Sequence, residues 1–98
     1  MVQVPVMISS FKHRGLKRLY ERGDQSKISA EHLARIEDVL ARLDVAETPD
    51  FLDLPGYNLH PLKGKLKDFW SVRISGNWRI IFKISDGDAV DVELVDYH

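Results

Sequence analysis

The 98-residue chain contains no cysteine. Disulfides and thiolate-ligated zinc are therefore excluded, and a reducing compartment is compatible. Long apolar runs are also missing: nothing approaches the roughly 20 apolar residues that cross a bilayer. The opening Met1-Val2-Gln3-Val4-Pro5-Val6 has no basic start, so it does not read as a secretory signal. A cytoplasmic protein with no membrane partner is the expectation. Proline and glycine are few, four and six, and no low-complexity tract or interdomain linker exists. A G-x-S-x-G nucleophile motif, a phosphate-cradling loop and an H-x-x-x-H pair are all absent. His13, His32, His60 and His98 are scattered, so neither a metal nor another cofactor is expected.

One stretch is short of acid. Between His60 and Lys83 lie six of the 14 Lys and Arg residues but a single carboxylate, Asp68. Asp44, Glu47, Asp50 and Asp53 precede this band, and Asp86, Asp88, Asp91, Glu93 and Asp96 follow it, without a basic residue in either flank. The net charge of -1 conceals a segregated field, and a polyanion responds to the local field.

Length and composition indicate one domain over residues 1–98. Met7-Ile8-Ser9-Ser10-Phe11 reads like a natural start, which makes residues 1–6 a candidate extension; Val4-Pro5-Val6 would alternatively lengthen a first strand, held to a sheet edge by Pro5. Leu16, Leu19 and Tyr20 recur at helical spacing between Phe11 and Arg22, and Gly23 is a stop signal. Leu33, Ile36, Leu40 and Leu43 mark a second helix, with Ser29 as its cap and Arg35, Glu37, Asp38 and Arg42 on its solvent side. From Trp70 onward the period becomes two. Trp70, Val72 and Ile74 alternate with Ser71, Arg73 and Ser75, then Trp78, Ile80, Phe82 and Ile84 with Arg79, Ile81 and Lys83, then Val90, Val92 and Leu94 with Asp91 and Glu93. Gly76-Asn77 and Asp86-Gly87 are the hairpin turns. A strand within Val2 to Phe11 joins the sheet elsewhere. The fold class is α+β, two N-terminal helices on one face of a twisted antiparallel sheet.

This alternation turns Arg73, Arg79 and Lys83 away from the core, toward solvent. His60 and Lys63 stand three apart across Pro61, at the entrance to the basic band. Histidine is the side chain suited to acid–base work near neutrality, and a nearby lysine can steady a phosphate. Both also fit an ordinary solvated surface. Asp96-Tyr97-His98 follow the last strand directly; they either fray or place a proton donor, an acceptor and a stacking ring beside the sheet. Metal-free RNA cleavage suits such a set, because the substrate's own 2′-OH attacks phosphorus. The protein must position the nucleotide, stabilise charge on the phosphate and move two protons.

Ser10-Phe11-Lys12-His13-Arg14-Gly15-Leu16-Lys17, Tyr57-Asn58-Leu59-His60-Pro61-Leu62-Lys63-Gly64, Trp70-Ser71-Val72, Asn77-Trp78-Arg79-Ile80 and Asp96-Tyr97-His98 together resemble HigB-type toxins. These belong to the RelE superfamily of bacterial toxin–antitoxin systems and are also known as plasmid maintenance killer proteins. The resemblance runs from Met7 to His98. It implies a RelE-like fold and a ribosome-dependent, metal-independent endoribonuclease that cuts translated mRNA in the ribosomal A site and arrests growth. It also implies a cognate HigA-type antitoxin with a helix-turn-helix, and contact with operator DNA only through the toxin–antitoxin complex. By motif position, His60, Lys63, Arg79, Asp96, Tyr97 and His98 are the implied catalytic set. Arg73, Asn77, Lys83 and Lys65 are the accompanying RNA-binding candidates. By its charge, the first helix with Lys12, Arg14, Lys17, Arg18 and Arg22 is either a second contact to ribosomal RNA or an ordinary solvated face. Two other readings fit the same residues: a non-catalytic RNA- or ribosome-binding module, and a structural subunit of a repressor complex.

Overall fold

The computed structural model describes residues 8–46 and 48–96. Two helices, α1 (Arg14–Arg22) and α2 (Ala30–Leu43), precede four strands: β1 (His60–Pro61), β2 (Trp70–Ser75), β3 (Trp78–Ser85) and β4 (Asp88–Asp96). The strands form one antiparallel sheet in the order β1-β2-β3-β4. Two-residue turns set the registers. Asp86 and Gly87 both have positive φ, 53° and 85°, as a type I′ turn requires. At Gly76-Asn77 only Gly76 is left-handed, with φ 55°, the type II′ pattern that places glycine first.

The N-terminal segment supplies a further sheet edge. Ile8 bridges Ala89 and Phe11 bridges Val92, both in parallel sense along β4. Where an early strand is expected the described residues form these two isolated bridges and no strand, while Val2, Val4, Pro5, Val6 and Met7 lie outside the described residues. α1 begins later than the sequence suggests. His13 caps it, its Nδ1 accepting from the Leu16 N–H at 3.1 Å. Gly15 is buried there, and a side chain would not fit without a shift, because a Cβ would come within 2.8 Å of the Lys27 Cβ. Ser29 precedes α2 but its side chain makes no capping hydrogen bond, so that expectation is corrected in detail.

Leu16 and Leu19 of α1 and Ile36, Val39, Leu40 and Leu43 of α2 bury against Val72, Ile74, Ile80, Phe82, Ala89 and Val92 of the sheet. Covering each such side chain contributes about 1.5–3 kcal/mol, which fixes the helices to this face. Tyr20 binds Asp44, tying α1 to the end of α2. The contact and burial push the Tyr20 phenol up to about 12.

One expected alternation fails. The β3–β4 register shifts between Ile81 and Lys83, and Asp91 in β4 has φ 55°. This bulge puts Ala89, Val92 and Leu94 with the core, and Val90 out of phase with Val92. Ser10 locks the kink: its hydroxyl accepts from the Asp91 N–H at 2.8 Å.

Candidate active site

The other face of the sheet carries no helix. Cross-strand pairing sorts its residues into rows, because directly paired residues share a face. One row is His60, Ser71, Ile81 and Glu93; the next is Arg73, Arg79 and Val95. His60 of the short edge strand thus stands one row from two arginines on adjacent strands. The sequence leaves His60 in a loop; the structure gives it a strand position opposite Ser71. Lys63 follows at the start of the 3-10 turn Gly64–Leu66, and Lys63 and Lys65 are both exposed.

Arg73 and Arg79 are directly opposed across β2 and β3. Like charges in that position repel, and neither forms an ion pair among the described residues. Arg79 is only partly exposed, and its Nη1 is buried without a hydrogen-bond partner among the described residues. A buried unpaired guanidinium nitrogen is costly; an anion on the exposed part of the arginine pair would offset the repulsion.

Lys83 departs from the solvent-facing expectation. It is half-buried, pairs with Asp91 at 3.3 Å, and lies 5.2 Å from the Phe69 ring centroid. Lys12 approaches the same ring at 5.7 Å. The basic band is therefore partly balanced in space by acids of β4, which sequence adjacency alone does not reveal. Asn77 is exposed in the β2–β3 turn. Asp96 pairs with Trp78 at the last register position of β4, beside that turn and, like Trp78, on the face that packs against the core and α2. The structure thus does not bring this expected catalytic residue onto the Arg73–Arg79 row. Tyr97 and His98 lie outside the described residues. Among the described residues no group of three or more His, Asp or Glu side chains is placed to hold a metal ion, and no helix is long and apolar enough to cross a membrane.

A set of residues that sequence reasoning assigned to solvent holds the His60 loop. Arg35 of α2 donates from Nη1 to the Arg73 carbonyl at 3.0 Å and the Gly56 carbonyl at 3.3 Å. Its guanidinium lies 4.3 Å from the Tyr57 ring centroid. The Tyr57 hydroxyl donates to Asp38, which also accepts from Arg42 Nε at 2.9 Å. The Tyr57 hydroxyl and then Arg42 hold the Asp38 carboxyl below its usual range, and burial followed by Asp38 pushes the Tyr57 phenol up. Only the Asp38–Arg42 spacing, one helical turn apart, is a sequence-level trace of this network.

Two helices with an antiparallel sheet is an arrangement this chain shares with solved structures. The structure is similar to the YoeB–YefM complex from Staphylococcus aureus, with TM-score 0.57 and 15% identity over 93% of this chain and 97% of that one. It is also similar to the RelBE2 toxin–antitoxin complex from Mycobacterium tuberculosis, with TM-score 0.52 and 21% identity over 97% and 100%. The fold is thus that of RelE-like toxins. Residues 9–98 match the family described as the RelE-like toxin of type II toxin–antitoxin system HigB, and the chain belongs to that HigB-like toxin family. Among its relatives, Endoribonuclease HigB of Proteus vulgaris is 45% identical over 94% of this chain and all of its own length. Toxin HigB-1 of Vibrio cholerae is 31% identical over 90% of this chain and 95% of its own.

Proposed function

We propose that this toxin is a cytoplasmic endoribonuclease that cuts mRNA in the A site of translating ribosomes without a metal, and that a HigA-type helix-turn-helix antitoxin neutralises it. The carrying observation is the directly opposed Arg73–Arg79 pair, without an ion-pair partner among the described residues and one row from His60. That geometry suits a phosphodiester. Family membership and the endoribonuclease name of the Proteus relative support RNA as its source.

In this reading the nucleotide's 2′-oxygen attacks the adjacent phosphorus as its proton is removed. The bond to the 5′-oxygen breaks, that oxygen takes up a proton, and a cyclic phosphate remains. Arg79, with Lys63 from the neighbouring turn, stabilises the charge gathering on the phosphate oxygens. His60 moves one of the protons. Tyr97 and His98, next in the chain after β4, are assigned to stacking and to the second proton, with Asp96 beside them. Arg73, Asn77 and Lys65 grip the flanking RNA. Lys83 holds the edge of that surface through Asp91 and Phe69. The basic first helix is assigned to ribosomal RNA. Operator DNA is reached only through the antitoxin complex.

Cleavage mapping on translating ribosomes tests this directly, using wild type and Tyr97→Phe. Cuts should appear in translated codons and fade in the variant. Ribosome-bound wild-type protein that leaves mRNA intact would falsify the nuclease reading and favour a non-catalytic binder.

A further inference from the structure

The reading of His60 as a proton-transfer group leaves open which ring nitrogen works and what holds it. His60 Nδ1 lies 2.9 Å from the Asn58 carbonyl oxygen. A carbonyl only accepts, so Nδ1 must carry the proton in that contact. The neutral ring then has its lone pair on Nε2, and the charged ring has its transferable proton there. In both states Nε2 is the working nitrogen.

The carbonyl is in place because the chain is bent around it. Asn58 has φ 51°, a conformation asparagine tolerates far better than β-branched residues do. On one side the Arg73 N–H donates to the Tyr57 carbonyl at 2.7 Å; on the other His60 pairs with Ser71. Relative to the His60–Ser71 register, Asn58 and Leu59 form a bulge, a device that re-aims a side chain. Arg35 then closes the structure, joining the Gly56 and Arg73 carbonyls from α2 while its planar group covers Tyr57. Tyr57 is fixed in turn by Asp38.

We propose that Arg35 and Tyr57 are positioning residues that hold the Asn58 carbonyl against His60, selecting the Nδ1–H tautomer and presenting Nε2 to the substrate. The proposal rests on the acid–base role of His60 given above. Arg35 suits the task because one rigid guanidinium can bond two carbonyls and cover an aromatic face at once; a lysine ammonium cannot.

The test uses the full chain labelled with 15N-histidine, with the His60 signals assigned by loss in His60→Gln. In wild type the neutral ring should show a protonated Nδ1 and a bare Nε2. Arg35→Ala, and independently Tyr57→Phe, should mix the tautomers and slow single-turnover cleavage about tenfold or more, with ribosome affinity within about twofold. Asn58→Gly keeps both carbonyl and backbone conformation, so it should retain the wild-type tautomer, while Asn58→Val should lose it. If Arg35→Ala does not fold, Tyr57→Phe decides, since it keeps the ring under the guanidinium and loses only the hydroxyl. A wild-type His60 protonated on Nε2, or variants with unchanged tautomer and rate, would overturn the proposal. The tautomer does not depend on turnover. A wild-type protein that never cuts mRNA would therefore sink the nuclease reading while the spectrum still decided the clamp.

Discussion

At the scale of single residues, the arginine pair sets function against stability. Arg73 and Arg79 face each other with no acid between them among the described residues, and the buried Arg79 Nη1 has no partner. Such an arrangement costs folding free energy; like charges directly opposite and an unmet buried donor are each worth about 1 kcal/mol. Arg79→Gln should therefore leave the melting temperature unchanged or raise it. The same change should reduce cleavage roughly 10²–10³-fold, the loss typical of removing a charge-stabilising donor. Paired thermal melts and single-turnover assays check both arms. A variant that loses stability and activity together would mean Arg79 is structural.

At the scale of elements, α1 starts on a titratable cap. Burial lowers the His13 pKa below the ordinary imidazole value of 6.5, with Glu93 pulling the other way. Its Nδ1 accepts from the Leu16 N–H, so only the unprotonated nitrogen can cap. A base with a lowered folded pKa stabilises fully above pH 6.5, and the contribution is lost as pH falls through that value toward the folded one. Asparagine caps without titrating, and a cap is worth about 1 kcal/mol. Between neutral and mildly acidic pH, wild type should lose about 4–8 °C of melting temperature relative to His13→Asn. Parallel melting curves would sink the assignment.

The sequence showed much of these elements and missed others for definable reasons. β2 and β3 were legible because apolar residues recur at every second position from Trp70 to Ile74 and from Trp78 to Ile84 around a glycine turn, although the β2–β3 register shifts between Arg73 and Ser75. The β4 bulge was hidden, since Asp91 occupies what looks like an ordinary polar position; its left-handed φ and its bond to Ser10 are tertiary facts. The motif positions put His60 and Arg79 in one site, and the register sets them one row apart. The clamp of Arg35, Tyr57 and Asp38 was not legible: Arg35 and Asp38 have solvent-side spacing on α2, Tyr57 lies in the turn before β1, and their contacts reach 38 and 19 residues along the chain.

At the scale of the whole molecule, folding rearranges the charge segregation of the sequence. Lys83 is withdrawn onto Asp91 and Phe69, so it contributes little to a phosphate. Lys63, Lys65, Arg73 and Arg79 are not ion-paired among the described residues. On the proposed reading a chain of net charge -1 binds RNA through these cations, about four, and affinity should follow that number. Each neutralised phosphate of single-stranded RNA contributes about -0.7 to the slope of log affinity against log salt. Four give a slope of about -3, or about a 50-fold loss of affinity for a short single-stranded oligonucleotide between about 50 and 200 mM salt. Lys63→Ala should reduce the slope by about one phosphate's share, whereas Lys83→Ala should leave it nearly unchanged because its ammonium is already paired. Equilibrium binding across a salt series separates the two. An equal loss of slope in both variants would show that the band acts as a continuous field, with the Lys83–Asp91 pair opening on RNA.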